Sequence, residues 1–498
     1  MRTNGILLPI FSLSSPYGIG TLGKEAYDFI DFLKEAGCSW WQILPVGPTG
    51  FGDSPYQSPS AFAGNSYFID LRILCNQGYL NEKDILNADF GKNPDRVDYE
   101  KLYLNRYKIL RLGAERFFNH ADESEQKKYK KFINENSFWL KDYALFSALH
   151  DRYNCAFYDW PQAYRHRENE ALKEAEAKLS SDINFYKLLQ YWFFSQWNDL
   201  HRYAEKSGVG LIGDMPIYVA SDSADVWAHP QIFDLNEDGR PSAVAGCPPD
   251  AFSSDGQLWG NPLYDWAALK NSGYSWWCER LSFAKHLYDV VRIDHFRAFD
   301  AYFSIPSGDK TAKNGVWKQG PGAEFFEYVQ NKIGEIPIIA EDLGQITDSV
   351  RALLKKVGYP GMAVLEFAFD PSSDSRYLPH HIEKNCVVYT GTHDNDTIEG
   401  YLKNAPQEER RFCINYLRLT AEEGYNWGMM RAAMATAADT CILQMQDFMG
   451  LSDEARINTP GTSKDNWQWR MEGSCVNSWL AGIIHENTKL YRRLGKQG

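Results

Sequence analysis

VVRIDHF (Val290–Phe296), IIAEDLG (Ile338–Gly344) and YTGTHDND (Tyr389–Asp396) decide how this chain is read. Each closes a short apolar run of the kind that forms a strand buried on both faces, and each meets an acid where its strand should stop: Asp294, Glu341 and Asp394. Parallel strands ending on carboxylates at one rim are the pattern of a barrel whose C-terminal face carries chemistry. Carboxylates converging there suit the breaking and making of glycosidic bonds.

Outward from these three runs the same alternation continues. Trp40–Val46, Leu211–Ile217, Val290–Phe296, Ile336–Glu341, Met362–Phe369, Val387–Thr392 and Cys441–Gln446 read as strands separated by helical stretches, which implies βαβ units and a parallel sheet. Seven strands, with an eighth among ambiguous runs such as Tyr67–Leu71, predict an α/β fold, a (β/α)₈ barrel. A doubly wound sheet is the rival, because periodicity alone does not separate the two.

The chain has 498 residues, 44% hydrophobic and 23% charged, which is ordinary globular usage and long enough for one barrel with insertions. A net charge of −13 argues against nucleic acid, whose phosphates call for a basic patch. The early run Ile6–Phe11 is short and broken by Pro9, so no signal core is expected, and no apolar stretch is long enough to suggest a membrane span. Nine scattered cysteines without a CxxC pair fit reduced thiols. A cytoplasmic protein is expected.

The whole chain, 1–498, reads as a single catalytic barrel with two insertions. Residues 81–201 are charged and aromatic at helical spacing, and their charge runs, Gln126–Lys131 and Glu168–Lys178, are best taken as solvated helix faces. Residues 218–289 are rich in Gly, Pro and Trp and read as loops covering the barrel mouth. Gly18, Gly20 and Gly23 form a literal GxGxxG, but no strand runs directly into it. Asp234, Asn236, Asp238 and Gly239 copy half an EF-hand loop, yet position twelve is Ala245 and cannot supply the bidentate ligand. His380 and His381 are adjacent without a partner at ligand spacing, so nothing in the spacing calls for a metal.

PTGFGDSPYQSPSAFAGN (Pro48–Asn65), GDMPIYVA (Gly213–Ala220), CPPDAFSSDGQLWGNPLYDW (Cys247–Trp266), the three strand ends and NTPGTSKDNWQWR (Asn458–Arg470) together resemble the amylomaltases. These are 4-α-glucanotransferases, or disproportionating enzymes, of the α-amylase-like superfamily, and the likeness runs in order along nearly the whole chain. It implies a (β/α)₈ barrel with subdomain insertions and without a C-terminal β-sandwich. It also implies that Asp294 is the nucleophile, Glu341 the general acid/base and Asp394 the carboxylate that stabilises the transition state.

The chemistry asks for these types independently. Retention needs one ionised carboxylate to attack the anomeric carbon and one protonated acid to release the leaving sugar. Glu341 is therefore expected to hold its proton and Asp294 to stay ionised, with Arg292, two residues away on the same strand face, as its charge partner. By resemblance, His295 and His393 contact the sugar, Tyr56 is a stacking platform and Asp214 a hydroxyl ligand. Gln257, Trp259 and Asn261 belong to a covering segment near the acceptor, and Phe367 and Asn466 complete the expected sugar contacts. Phe51 stands where several family members have a tyrosine linked to a second glucan site, and it has no hydroxyl to offer.

The reading is a cofactor-free 4-α-glucanotransferase moving α-1,4-glucan segments between maltooligosaccharides, with glucose among its acceptors. An α-amylase-like hydrolase and a non-catalytic glucan-binding barrel are the alternatives. The second would be expected to have lost at least one of the three acids.

Overall fold

The structure, a computed structural model, describes residues 2–249 and 253–495, so Asp250 to Phe252 of the expected covering segment lie outside the described residues. Eight parallel strands form one sheet: β1 (Thr3–Leu7), β2 (Trp40–Gln42), β3 (Gly210–Pro216), β6 (Val290–Asp294), β9 (Ile338–Ala340), β10 (Gly361–Val364), β11 (Cys386–Tyr389) and β12 (Thr440–Gln444). Their order is β10-β11-β12-β1-β2-β3-β6-β9, and β9 returns to β10 through Ala340 N–H donating to Pro360 O at 2.9 Å. The sheet therefore closes into a (β/α)₈ barrel, and the doubly wound alternative falls away.

All seven strands read from the sequence are present. The eighth is β1, whereas Tyr67–Leu71 is a 3₁₀ turn (Ser66–Phe68) leading into helix Leu71–Asn76. Gly5 obscures the pattern of β1, but it is required there: a Cβ would meet Trp40 on one side and Ile442 on the other. Asp70 stops the Tyr67 run from being a strand because its carboxylate caps the next helix, accepting from Ile73 N–H at 3.0 Å and from Thr21 Oγ1 at 2.7 Å.

Between β2 and β3 the chain packs the helices Tyr99–His120, Glu123–Glu135, Ser137–Tyr153 and Ser180–Ser207. The last runs 28 residues, until Gly208 takes the left-handed conformation that ends it. Its side chains clamp the loop that follows β2. Gln190 bonds both backbone groups of Gly64, at 2.7 and 3.0 Å, and Gln196 both of Asp70, at 2.7 and 3.2 Å.

The expected loop-rich stretch 218–289 contains regular structure instead. β4 (Ala243–Cys247) and β5 (Gln257–Pro262) join β7 (Ala301–Pro306) and β8 (Val316–Gln319) in an antiparallel sheet ordered β5-β4-β7-β8. Glycines hid these strands: at Gly246 a side chain would overlap the Gln257 carbonyl of the paired strand.

Candidate active site

Strand register brings the catalytic candidates together. In the β6–β9 pair Ile293 lies opposite Ala340, so Asp294 and Glu341 follow side by side at the ends of neighbouring strands. In the β3–β6 pair Asp214 lies opposite Arg292 and Pro216 opposite Asp294. Arg292, 2% exposed, holds Asp214, 3% exposed, through Nη1 at 2.8 and 2.7 Å, and reaches Asp294 Oδ1 through Nη2 at 2.9 Å. One guanidinium thus fixes two carboxylates in the barrel's upper layer.

His295 turns the chain directly after the nucleophile candidate. Its φ of 53° is left-handed, a conformation that strains a non-glycine residue by ~1–3 kcal/mol. This turn aims His295 N–H at Glu341 Oε2, 2.7 Å away, while Leu343 N–H donates to Oε1 at 2.8 Å. Both oxygens are oriented by backbone.

Burial raises the Glu341 carboxyl above the usual carboxylate range, against Arg292 and these two N–H groups, which pull it down. Burial raises Asp294 further still, well above its usual value, opposed chiefly by Arg292 and reinforced by the carboxylates of Asp214, Glu341 and Asp394. Of the two acids only Asp294 is bonded to the guanidinium, and its side chain keeps 28% exposure, both of which favour a charge on Asp294 against the effect of burial.

Tyr56 knits the opposite wall. Its hydroxyl donates to Asp214 Oδ2 at 2.8 Å, so its oxygen accepts from His393 Nε2, 2.9 Å away, which assigns the proton of the neutral imidazole to Nε2. Burial lowers the His393 pKa and keeps the ring neutral. Burial likewise drives His295 down to about 3, and its Nε2 is buried without a hydrogen-bond partner among the described residues. A sugar hydroxyl is the kind of group that would satisfy it.

A cleft of about 490 Å³ opens above, lined by Tyr56, Gln257, Trp259, His393, Asp394 and Asn466 among others. Trp259 stands edge-on to His295 with centroids 4.7 Å apart, and Gln57 ties β5 to the loop after β2 through Trp259 O (3.2 Å) and Asn261 Oδ1 (3.0 Å). Asn261 also donates to Val219 O at 2.7 Å, and Asn466 bonds Thr459 N–H and Thr462 within its own loop. Both therefore brace walls. Phe367 is 40% exposed beside Tyr377, and Phe51 is 84% exposed on the cleft rim.

The sequence reading did not single out three residues that the structure brings to this site. Asn458 donates to Asp394 Oδ1 at 2.6 Å, and Arg456 donates to Asp394 O at 2.6 Å and Asn458 O at 2.8 Å. Trp467 packs beside both Tyr56 and His393, with centroids 5.6 and 6.0 Å away. Asn458 and Trp467 lie in the NTPGTSKDNWQWR stretch, so the motif was visible while the contact, 64 residues from Asp394, was not.

Comparisons with known proteins give the family of the chain. The family model described as 4-alpha-glucanotransferase matches residues 8–476. A 4-alpha-glucanotransferase of Clostridium butyricum is 47% identical over 97% of this chain and 99% of its own, and one of Thermus thermophilus is 46% identical over 94% and 95%. The solved amylomaltase of Streptococcus agalactiae, in complex with acarbose, superposes with a TM-score of 0.97 at 40% identity, covering 99% of this chain and 100% of that one. The chain belongs to the 4-alpha-glucanotransferase family, glycosyltransferases that act on α-1,4-glucans.

Proposed function

We propose that this enzyme transfers α-1,4-glucan segments between maltooligosaccharides by retaining double displacement. Asp294 attacks the anomeric carbon as Glu341 gives its proton to the departing glycosidic oxygen; the leaving chain then quits the cleft. Glu341, now a carboxylate, takes the proton from the acceptor's 4-hydroxyl, which attacks the glycosyl-enzyme and frees Asp294. Asp394 binds sugar hydroxyls and favours the oxocarbenium-like state. The observation that carries this reading is the pairing of a guanidinium-bound Asp294 with a half-buried, backbone-oriented Glu341 in adjacent register.

The S. agalactiae amylomaltase, in complex with acarbose, supports a saccharide ligand for the same cleft. Tyr56, Asp214, His295, His393 and Phe367 are the proposed sugar contacts, and Trp259 and Gln257 the roof that keeps water from the intermediate. Asn261 and Asn466 act by holding those walls. Among the described residues no helix is long and apolar enough to cross a membrane, and Cys38, Cys278, Cys413 and Cys441 are buried free thiols, which suits a reducing cytoplasm.

Incubation with maltotriose tests the reading. Glucose and longer oligomers should form while the number of reducing ends stays constant. A count that rises with glucose and maltose, with nothing lengthening, would establish a hydrolase instead.

A further inference from the structure

The segment from Ala368 to β11 carries three side chains that the proposed transfer reaction does not use. Asp374, His380 and His381 each place one metal-ligating atom within 4.8 Å of the others, and all three are exposed. Asp374 lies six residues before His380, too irregular a spacing to be recognised in the sequence.

Their hydrogen bonds orient them as ligands. His381 Nδ1 lies 3.0 Å from Ser375 O, and because a carbonyl only accepts, the neutral ring carries its proton on Nδ1. In that neutral form its Nε2 lone pair faces Asp374 Oδ1 at 3.7 Å. His380 Nδ1 lies 2.5 Å from the Tyr416 hydroxyl, which can accept its proton, and in that tautomer the lone pair of the ring is on Nε2. Imidazoles anchored through one nitrogen and open at the other are the usual outer-shell arrangement of metal-binding histidines.

We propose that Asp374, His380 and His381 form a surface site for a divalent cation of the zinc type. Two imidazoles and one carboxylate suit a borderline-soft ion, whereas magnesium and calcium prefer all-oxygen shells. Zinc bonds of ~2.0–2.2 Å set tetrahedral ligand atoms ~3.4 Å apart. The cluster must therefore contract by about an ångström, which exposed side chains can do by rotation. Water would fill the fourth position.

The site is placed to stiffen the segment tied to Phe367 and Asp342. Between Asp374 and the histidines, Ser375 Oγ donates to Phe367 O at 3.1 Å, and Arg376 bonds Asp342 O at 2.6 Å and Asp342 Oδ2 at 3.3 Å, next to Glu341. A cation joining Asp374 to His380 and His381 would close a loop around the chain that makes those contacts.

Zn²⁺ titration against a chromogenic chelator, comparing the chain with its His380→Ala/His381→Ala double variant and with Asp374→Asn, tests the site. The wild-type chain should bind one more equivalent of Zn²⁺ than the double variant, and Asp374→Asn should bind it at least ~10-fold more weakly. Zinc should also raise the Tm of the wild type and not that of the double variant, while the zinc-free proteins melt together. Equal stoichiometry in the wild type and the double variant, or no tightly bound equivalent in the wild type, would overturn the proposal.

Discussion

Asp294 and Glu341 are the same kind of group placed in different company, and the proposed division of labour between them rests on that company. Asp294→Asn keeps the shape of the site and loses the nucleophile, so turnover of maltotriose should fall by at least ~10³-fold while oligosaccharide binding, read by calorimetry, stays nearly unchanged. Near-normal turnover in a clean preparation would remove Asp294 from that role. Glu341→Gln should slow maltotriose far more than α-maltosyl fluoride, whose fluoride leaves with little acid help. Equal losses on both donors would contradict the acid assignment. At this scale the sequence was highly legible, because each acid stands at the end of a recognisable apolar run. Their protonation was less so: burial pushes the pKa of Asp294 up more strongly than that of Glu341, and the Arg292 contact is what opposes this at Asp294.

At the scale of elements, function depends on loops that are held from a distance. Asp394 is positioned by the segment after β12, through Asn458 at 2.6 Å and Arg456 on its carbonyl. Asn458→Ala should lower kcat on maltotriose by ~10-fold or more with little change in Tm, since misplacing a catalytic group costs rate before it costs stability. Unchanged kcat would make this hydrogen bond irrelevant to catalysis. The loop bearing Tyr56 is held by Gln190 and Gln196, whose amides satisfy both backbone groups of Gly64 and Asp70. Gln190→Ala should destabilise the fold by ~1–3 kcal/mol, measured by urea denaturation, because it strips two buried backbone groups of partners. These links span 64 and 126 residues, and nothing in local periodicity announces them. The same limit explains the misread elements: β1 and β4 contain glycines required by close strand approach, so their alternation is broken where packing is tightest.

At the scale of the whole molecule, a buried acid ties the stability of the fold to pH. Asp447, 1% exposed, follows β12 and accepts from Thr390 Oγ1 after β11 (2.7 Å) and from Ile398 N–H at a helix start (2.8 Å). Burial raises its pKa from 3.8 to about 7. The folded chain therefore holds a proton there that the unfolded chain releases above about pH 4, and this contribution to stability is lost as pH rises toward about 7. Asp447→Asn preserves both contacts if the Thr390 hydroxyl reverses its direction. It should be more stable than the wild type near neutral pH by ~1–4 kcal/mol, with the difference vanishing below about pH 4. Parallel Tm–pH curves for the two proteins would refute this. The barrel itself was legible, since seven of its strands are apolar runs that need burial on both faces; its closure through β1 was legible only from the structure.

The account rests on a glycosyl group passing through Asp294, and this intermediate can be caught. In Glu341→Gln mixed with α-maltosyl fluoride, the first step proceeds without acid help while the second lacks its base, so the covalent intermediate should accumulate. Peptide mass spectrometry of the quenched enzyme is predicted to find a maltosyl group esterified to Asp294. An adduct on another carboxylate, or fluoride release with no adduct at all, would contradict the double displacement through Asp294.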